Sequence, residues 1–393
     1  MARGPETRNP YTPDSGVKPP ALTGRDKELA HLQSIITQVG QGGTERHVLI
    51  TGLRGVGKTV LLNEFESMCT EAGWYADTKE LGRTTPLINL VMRIARTALL
   101  SMDAKKRAGD HIRSALGALK SFELTFGGVA SLKIEVDAAP GVADSGILSE
   151  DLRDLLLAVG KAAEAVGLGF ALILDELQNA AKVEYEALIM ALHRAKQKAL
   201  PVVFVGGGLP LLPALTTDAK SYAERMFVFP KIGALTPAAA RSALVLPAER
   251  QAVQWHEDAI ERVLELTEGY PFFLQEYGRR VWSQDEASVI TLNDVEAARP
   301  VVEADLDEEF YENRIGKLTA SERRYVSALA HLGDGPQQVG SIADLLGRTT
   351  TSLSPVRDDL MRGAIVYSPR RGYLDFTVPH CAEFVRRNYP FDV

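Results

Sequence analysis

The stretch Gly52-Leu53-Arg54-Gly55-Val56-Gly57-Lys58-Thr59 constrains this chain more than any other, because it meets the phosphate-loop pattern G-x-x-x-x-G-K-[ST] at every fixed position. Its flanks agree: Val48 to Thr51 reads as a short buried strand, and Val60, Leu61, Leu62 and Phe65 open an amphipathic helix. Glycines let the backbone wrap phosphate oxygens where a side chain would obstruct it, and the following helix aims free N–H groups and its positive dipole end at the same anion. The expected nucleotide-binding set is Gly52, Gly55, Val56, Gly57, Lys58, Thr59 and Val60. Lys58 adds a full charge at the β- and γ-phosphates, which also makes it a catalytic candidate, and the Thr59 hydroxyl is expected to coordinate Mg2+.

A phosphate loop needs a second strand that carries a carboxylate to the metal. Phe170 to Leu174 is a continuous apolar run, as in a strand covered on both faces, and it ends in Asp175-Glu176. Asp175 is the expected metal ligand, and Glu176 the group that polarises an attacking water. That pairing favours hydrolysis over transfer to an acceptor. Further strands are expected from Trp74, Pro201 and Met226, alternating with helical stretches such as that beginning at Glu184. The predicted fold class is therefore α/β, a P-loop NTPase with a parallel sheet and helices on both faces. Between the two motifs, residues 121–136 alternate apolar and polar around Gly127-Gly128, which predicts an inserted β-hairpin.

Composition sets outer bounds. The 393 residues, 45% hydrophobic and 24% charged, suffice for two or three domains. A formal net charge of -7 gives no overall attraction to nucleic acid, so DNA binding would need a local patch. Cys69 and Cys381 cannot form a disulfide framework, the seven histidines lack metal-ligand spacing, and the longest uncharged stretch, Ala199 to Leu215, is broken by prolines and glycines. A cytoplasmic protein is expected. Residues 1–20, rich in proline and polar side chains and without a signal-peptide core, read as a disordered or loosely attached tail.

The residues from Leu22 onward resemble the AAA+ ATPases of the origin-recognition-like and STAND type. The string LTGRDKEL, Leu22 to Leu29, is similar to the box those proteins place beside adenine, and the resemblance implies ATP as the nucleotide and Arg25 as part of its site. It also implies a role for Arg225, just before the fifth strand, as an arginine finger reaching a neighbour's site; a surface arginine at a helix C-terminus is the alternative. The segment ELTEGYPFFLQEYGRRVW resembles the helical lid, with Gly269 and Pro271 in its turn. Two positions depart from the family. The fourth strand ends in Gly206, Gly207 and Gly208 in place of a polar sensor, and Tyr270 stands where many relatives carry an arginine, with Arg279 and Arg280 following.

The expected domains are the tail 1–20, an ATPase core over 21–232, an α-helical lid over 233–298, an acidic linker over 299–315 and a winged helix over 316–393. Thr236-Pro237 starts a lid helix, and Ile260, Val263, Leu264 and Leu266 repeat at helical spacing before Gly269. Glu303 to Arg314 is expected as a solvated helix or linker. In the last module Tyr325, Leu329 and Leu332 mark one helix, Ser341 caps a second, and Leu353, Val356 and Leu360 mark a third. Two strands follow around Pro369-Arg370-Arg371-Gly372, completing a winged-helix pattern that the same family also carries. Arg348, Thr350, Ser352, Arg357, Arg370 and Arg371 are the candidate DNA contacts, with Thr351 and Arg362 nearby. Against them stand Asp358 and Asp359; from residue 316 onward ten Lys or Arg oppose eight Asp or Glu. The sequence thus supports an ATP-hydrolysing switch coupled to double-stranded DNA, or alternatively a STAND-like signalling ATPase whose winged helix contacts a protein. A homo-oligomer is compatible with both, and no membrane partner is expected.

Overall fold

A computed structural model describes residues 8–14, 16–104, 109–127, 136–220, 222–284 and 288–392. They form two compact units, one built from 25–52 and 58–232, the other from the residues up to 24, 53–57 and those from 233 onward.

The first unit runs α1 (Asp26–Gly40), β1 (His47–Thr51), α2 (Lys58–Glu71), β2 (Tyr75–Glu80), α3 (Leu87–Ala104), α4 (Gly109–Phe126), α5 (Leu148–Ala165), β3 (Phe170–Asp175), α6 (Lys182–Gln197), β4 (Val202–Gly208), α7 (Leu212–Ala219), α8 (Ala223–Met226) and β5 (Phe227–Val228). The five strands lie in the order β2-β3-β4-β1-β5 and every pair is parallel. This is the α/β sheet of a P-loop NTPase, as the sequence predicts. Both faces of β3 and β4 are buried, which is why these strands read as unbroken apolar runs. Phe170, Leu172 and Leu174 join Val202, Phe204 and the helices α3 to α6 in one large core, while α2 packs on the sheet through Leu61, Leu62 and Phe65.

The predicted hairpin at 121–136 is corrected at its first strand. Residues 121–126 complete α4, with Leu119 and Phe122 fully buried and Leu124 71% exposed, so the apparent period of two came from one leucine facing solvent. Gly127, at φ 69°, follows the end of that helix, and residues 128–135 lie outside the described residues.

The second unit begins with α9 (Pro237–Glu249), β6 (Gln254–Trp255), α10 (Glu257–Thr267), α11 (Pro271–Trp282), β7 (Val289–Ile290) and α12 (Leu292–Asp305). Thr236 caps α9 by accepting the Ala239 amide, and Pro237 opens its first turn. The expected loose tail is a second correction over residues 8–14 and 16–20, residues 1–7 and 15 lying outside the described residues. Tyr11 is 3% exposed, donates its hydroxyl to the Leu244 carbonyl at 2.6 Å and accepts from the Trp255 indole N–H at 2.9 Å. Asn9 and Thr12 also bond to Arg279 and Gln275. One buried aromatic with satisfied polar atoms outweighs the segment's polar composition.

Of the two expectations for residues 303–314, a solvated helix or a linker, the chain forms a helix, but one with a buried face. The helix of α12 continues through a π-helical turn over Leu306–Glu312 into α13 (Asn313–Ile315), and Leu306, Tyr311 and Ile315 bury one face of it while Glu308, Glu309 and Glu312 face out. The chain then forms α14 (Ala320–His331), β8 (Gln337–Gln338), α15 (Val339–Leu345), α16 (Ser354–Arg362), β9 (Val366–Tyr367), β10 (Tyr373–Phe376) and α17 (Cys381–Asn388), with β8, β10 and β9 in one antiparallel sheet. Gln338, not Ser341, is the residue before α15, so Ser341 lies inside that helix. Among the described residues no helix is long and apolar enough to cross a membrane.

Candidate functional site

The end of β1 delivers the phosphate loop, and its neighbours fix where the loop begins. The Gly52 amide donates to the Gly208 carbonyl at the end of β4, at 3.1 Å. Gly55 and Gly57 have φ of 75° and 92°, a region that a side chain would strain, so the two spaced glycines are required by the backbone. Lys58 opens α2 with 5% exposure, and its ammonium donates to the Gly52 carbonyl at 3.1 Å, folded back over the mouth of the loop.

Thr59 and Asp175 meet. The threonine hydroxyl donates to one Asp175 carboxylate oxygen at 2.6 Å, and the other oxygen accepts the Glu176 amide at 2.8 Å. A hydroxyl and a carboxylate oxygen side by side are hard donors that suit Mg2+, which takes one or two protein oxygens and completes its shell with phosphate and water. The residues present therefore fit that ion. Glu176 itself has φ 55°, which turns its carboxylate out of the run of β3, and that carboxylate accepts the Gln178 side-chain amide at 2.5 Å.

The glycine run at the end of β4 acquires a reason here. A Cβ at Gly206 would stand 2.1 Å from a Leu177 methyl, one at Gly207 2.6 Å from an Asp175 carboxylate oxygen, and one at Gly208 2.6 Å from the Gln178 side-chain oxygen. The strand is stripped of side chains so that the turn after Asp175 can lie over its end.

The remaining nucleotide candidates divide between the units. Arg25, at the head of α1, is 7% exposed, and burial pushes its guanidinium below its usual range, with Glu28 opposing. Arg225 is exposed in the last turn of the short helix α8, directly before β5. In the helical unit Gly269, at φ 70°, turns the chain and Pro271 opens α11. There the Phe272 amide donates to the Gly55 carbonyl at 3.3 Å and the Tyr270 hydroxyl donates to the Arg54 carbonyl. Arg279 and Arg280 are held in ion pairs by Glu276 and Asp305.

Sequence reasoning missed two residues. Gln178 follows Asp175-Glu176 so closely that it reads as part of a turn, yet it is the group that touches Glu176. Arg314 sits over the Phe310 ring at 3.9 Å, and its guanidinium is pushed below its ordinary range by burial and then by the charge of Arg54. A guanidinium penalised by burial and by a like charge, as Arg314 is, is relieved by an anion. Only its position at the end of an acidic helix could have marked Arg314.

In the last module Arg348, Thr350 and Ser352 are exposed in the turn before α16, Arg357 is half-buried on that helix, and Arg370 and Arg371 are exposed at the tip between β9 and β10. The helix arginines are already engaged: Arg357 bonds to Asp358 at 3.2 Å and Arg362 to Asp359. Arg348 donates to the Ser352 carbonyl at 3.4 Å, and Arg370 lies 3.8 Å over the Tyr373 ring.

Comparison with known proteins agrees with this geometry. Residues 21–205 match the family model described as an AAA ATPase domain, and residues 308–385 match one described as a domain of unknown function (DUF8462). No curated protein matches the sequence. Among solved structures, the Walker-type ATPase of Pyrococcus abyssi is 16% identical with a TM-score of 0.53, over 93% of this chain and 96% of that one. The Orc1 protein of Aeropyrum pernix in complex with DNA (17% identity, TM-score 0.44, 96% and 95% covered) and the RuvB Holliday junction branch migration motor of Thermotoga maritima (15%, 0.47, 96% and 100%) are also similar. The sheet unit thus has the α/β fold of a P-loop NTPase, and residues 21–205 resemble an AAA ATPase domain.

Proposed function

We propose that the chain is an ATP-binding, ATP-hydrolysing switch whose nucleotide state governs binding of double-stranded DNA by the C-terminal module, read as a winged helix. The observation that carries the enzymatic part is the 2.6 Å hydrogen bond from Thr59 to Asp175, which brings the loop hydroxyl and the strand carboxylate into one metal-binding pair. Lys58 and the amides of the loop hold the triphosphate. Thr59 and Asp175 would hold Mg2+, which when bound neutralises phosphate charge. Glu176 accepts the proton of a water as its oxygen bonds to the γ-phosphorus, while the bond to the departing ADP breaks. Half-buried Arg314, whose charge is disfavoured by burial and then by Arg54, supports the presence of an anion near the loop. Arg225, exposed beside β5, is read as acting on a second copy of the chain.

The DNA part rests on three helices followed by a basic hairpin tip. The paired arginines of α16 favour the second reading, in which the module docks on a protein, because Asp358 and Asp359 both neutralise those arginines and repel phosphate. One experiment separates the two: ATP turnover with and without duplex DNA at low salt, using Glu176→Gln as the blank. Stimulation that disappears in the Arg370→Ala/Arg371→Ala variant supports the DNA-coupled switch. Turnover indifferent to DNA supports the signalling ATPase.

A further inference from the structure

We infer that Gln178 is the positioning residue for Glu176, filling the place left by the missing polar side chain at the end of β4. The assignment rests on the reading of Glu176 as the group that accepts the water proton. Three observations in one corner of the sheet unit carry it. The Gln178 amide nitrogen donates to Glu176 at 2.5 Å, and its oxygen accepts the Leu209 backbone amide at 3.2 Å, so the carboxamide bridges the acid after β3 to the chain after β4. A side chain at Gly208 would come within 2.6 Å of that same oxygen, which means that the glycine leaves the room the carboxamide occupies. The turn carrying Gln178 is itself fixed, since Asn179 donates its side-chain amide to the Leu81 carbonyl at 2.8 Å and its backbone amide to the Glu176 carbonyl at 3.0 Å.

The chemistry follows from the donor. Glu176 occupies a left-handed backbone position and has a long side chain with several rotamers, so without a partner its carboxylate samples many directions. A primary amide anchored at its oxygen by the main chain presents its N–H at a set angle. It holds the carboxylate as an oriented acceptor and carries no charge that would compete for the nucleotide. The effect belongs to the turnover step and not to binding, because both side-chain hydrogen bonds of Gln178 run to the acid and to the Leu209 amide.

Two isosteric substitutions separate this role from a scaffold role. Gln178→Met removes both hydrogen bonds. Gln178→Glu keeps an acceptor for the Leu209 amide and replaces the donor to Glu176 by a carboxylate that repels it. With ATP and Mg2+ on the full-length protein, both variants should lose about tenfold or more in kcat with nucleotide Kd within about twofold of wild type. In the Glu176→Gln background, Gln178→Met should add no further loss. Gln178→Glu turning over at or above the wild-type rate overturns the proposal, because the Leu209 contact alone would then suffice. So does a fall in kcat matched by a fall in affinity. If Glu176→Gln itself turns over normally, it is the underlying reading of Glu176 that fails; if Glu176→Gln is inert and both Gln178 variants are normal, only the role of Gln178 fails.

Discussion

The candidate nucleotide corner of the sheet unit and the candidate DNA face of the C-terminal module hold their charges in opposite ways. Lys58, Asp175 and Arg25 are each under a tenth exposed, on backbone fixed by a sheet and a helix N-terminus. Arg348, Arg370 and Arg371 stand in solvent, and the arginines of α16 are neutralised by their own neighbours. Buried charges act in a low dielectric where a single misplacement costs much, whereas exposed ones act through screened sums. The first arrangement suits a ligand of one shape, the second a partner with a repeating charge.

Four variants sharpen or break this contrast. Arg225→Ala would break it most: an exposed side chain acting in trans should cost about a thousandfold in turnover at unchanged ATP affinity, read by steady-state hydrolysis across a protein dilution series. A monomer with full activity would remove that role. Lys58→Ala should weaken ATP binding by roughly 100-fold, measured by calorimetry, in keeping with loss of a charge-assisted contact inside the loop. His47→Asn probes how dry the sheet unit is. Burial and then the charge of Lys196 push the His47 imidazole down to about 3, with its Nδ1 accepting the Phe204 amide at 3.2 Å. Unfolded, that ring titrates near 6.5. The stability it contributes is therefore full above about pH 6.5 and falls as pH drops through 6.5 towards 3. Wild type should lose about 1–2 kcal/mol of stability between pH 7 and pH 5 that His47→Asn does not lose, measured by denaturant titration at both pH values. Smallest is Asp358→Asn/Asp359→Asn, which frees the α16 arginines. Duplex affinity should rise about threefold, and the slope of log K against log salt should steepen by about one to two. An unchanged slope would assign the helix to a protein partner.

The same contrast governs what the sequence could tell. The phosphate loop and Asp175-Glu176 were legible because backbone strain, strand burial and charge fix residue types at set spacings, and β1, β3 and β4 follow from their apolar runs. The segment at 121–126 misled because exposed Leu124 sits between Phe122 and Phe126 and imitates a strand. Tyr11 was missed because one aromatic in a proline-rich stretch gives no periodicity, and its partners lie in the helical unit. Gln178 was not legible because β4 ends in glycines, while the carboxamide reaches that spot from the neighbouring turn.

The placement of Tyr11 also fixes an order of events during synthesis. Its hydroxyl partner Leu244 and the indole of Trp255 are made 233 and 244 residues later, and Gly278, whose bare Cα leaves room for the ring, later still. At about 5–20 residues per second, Tyr11 is made roughly 10–50 s before its seat exists. The sheet unit, whose residues are contiguous in that interval apart from the loop, can close first. The helical unit then completes itself by capturing the Tyr11 segment, so a unit assembled after the sheet unit is closed by residues made before it.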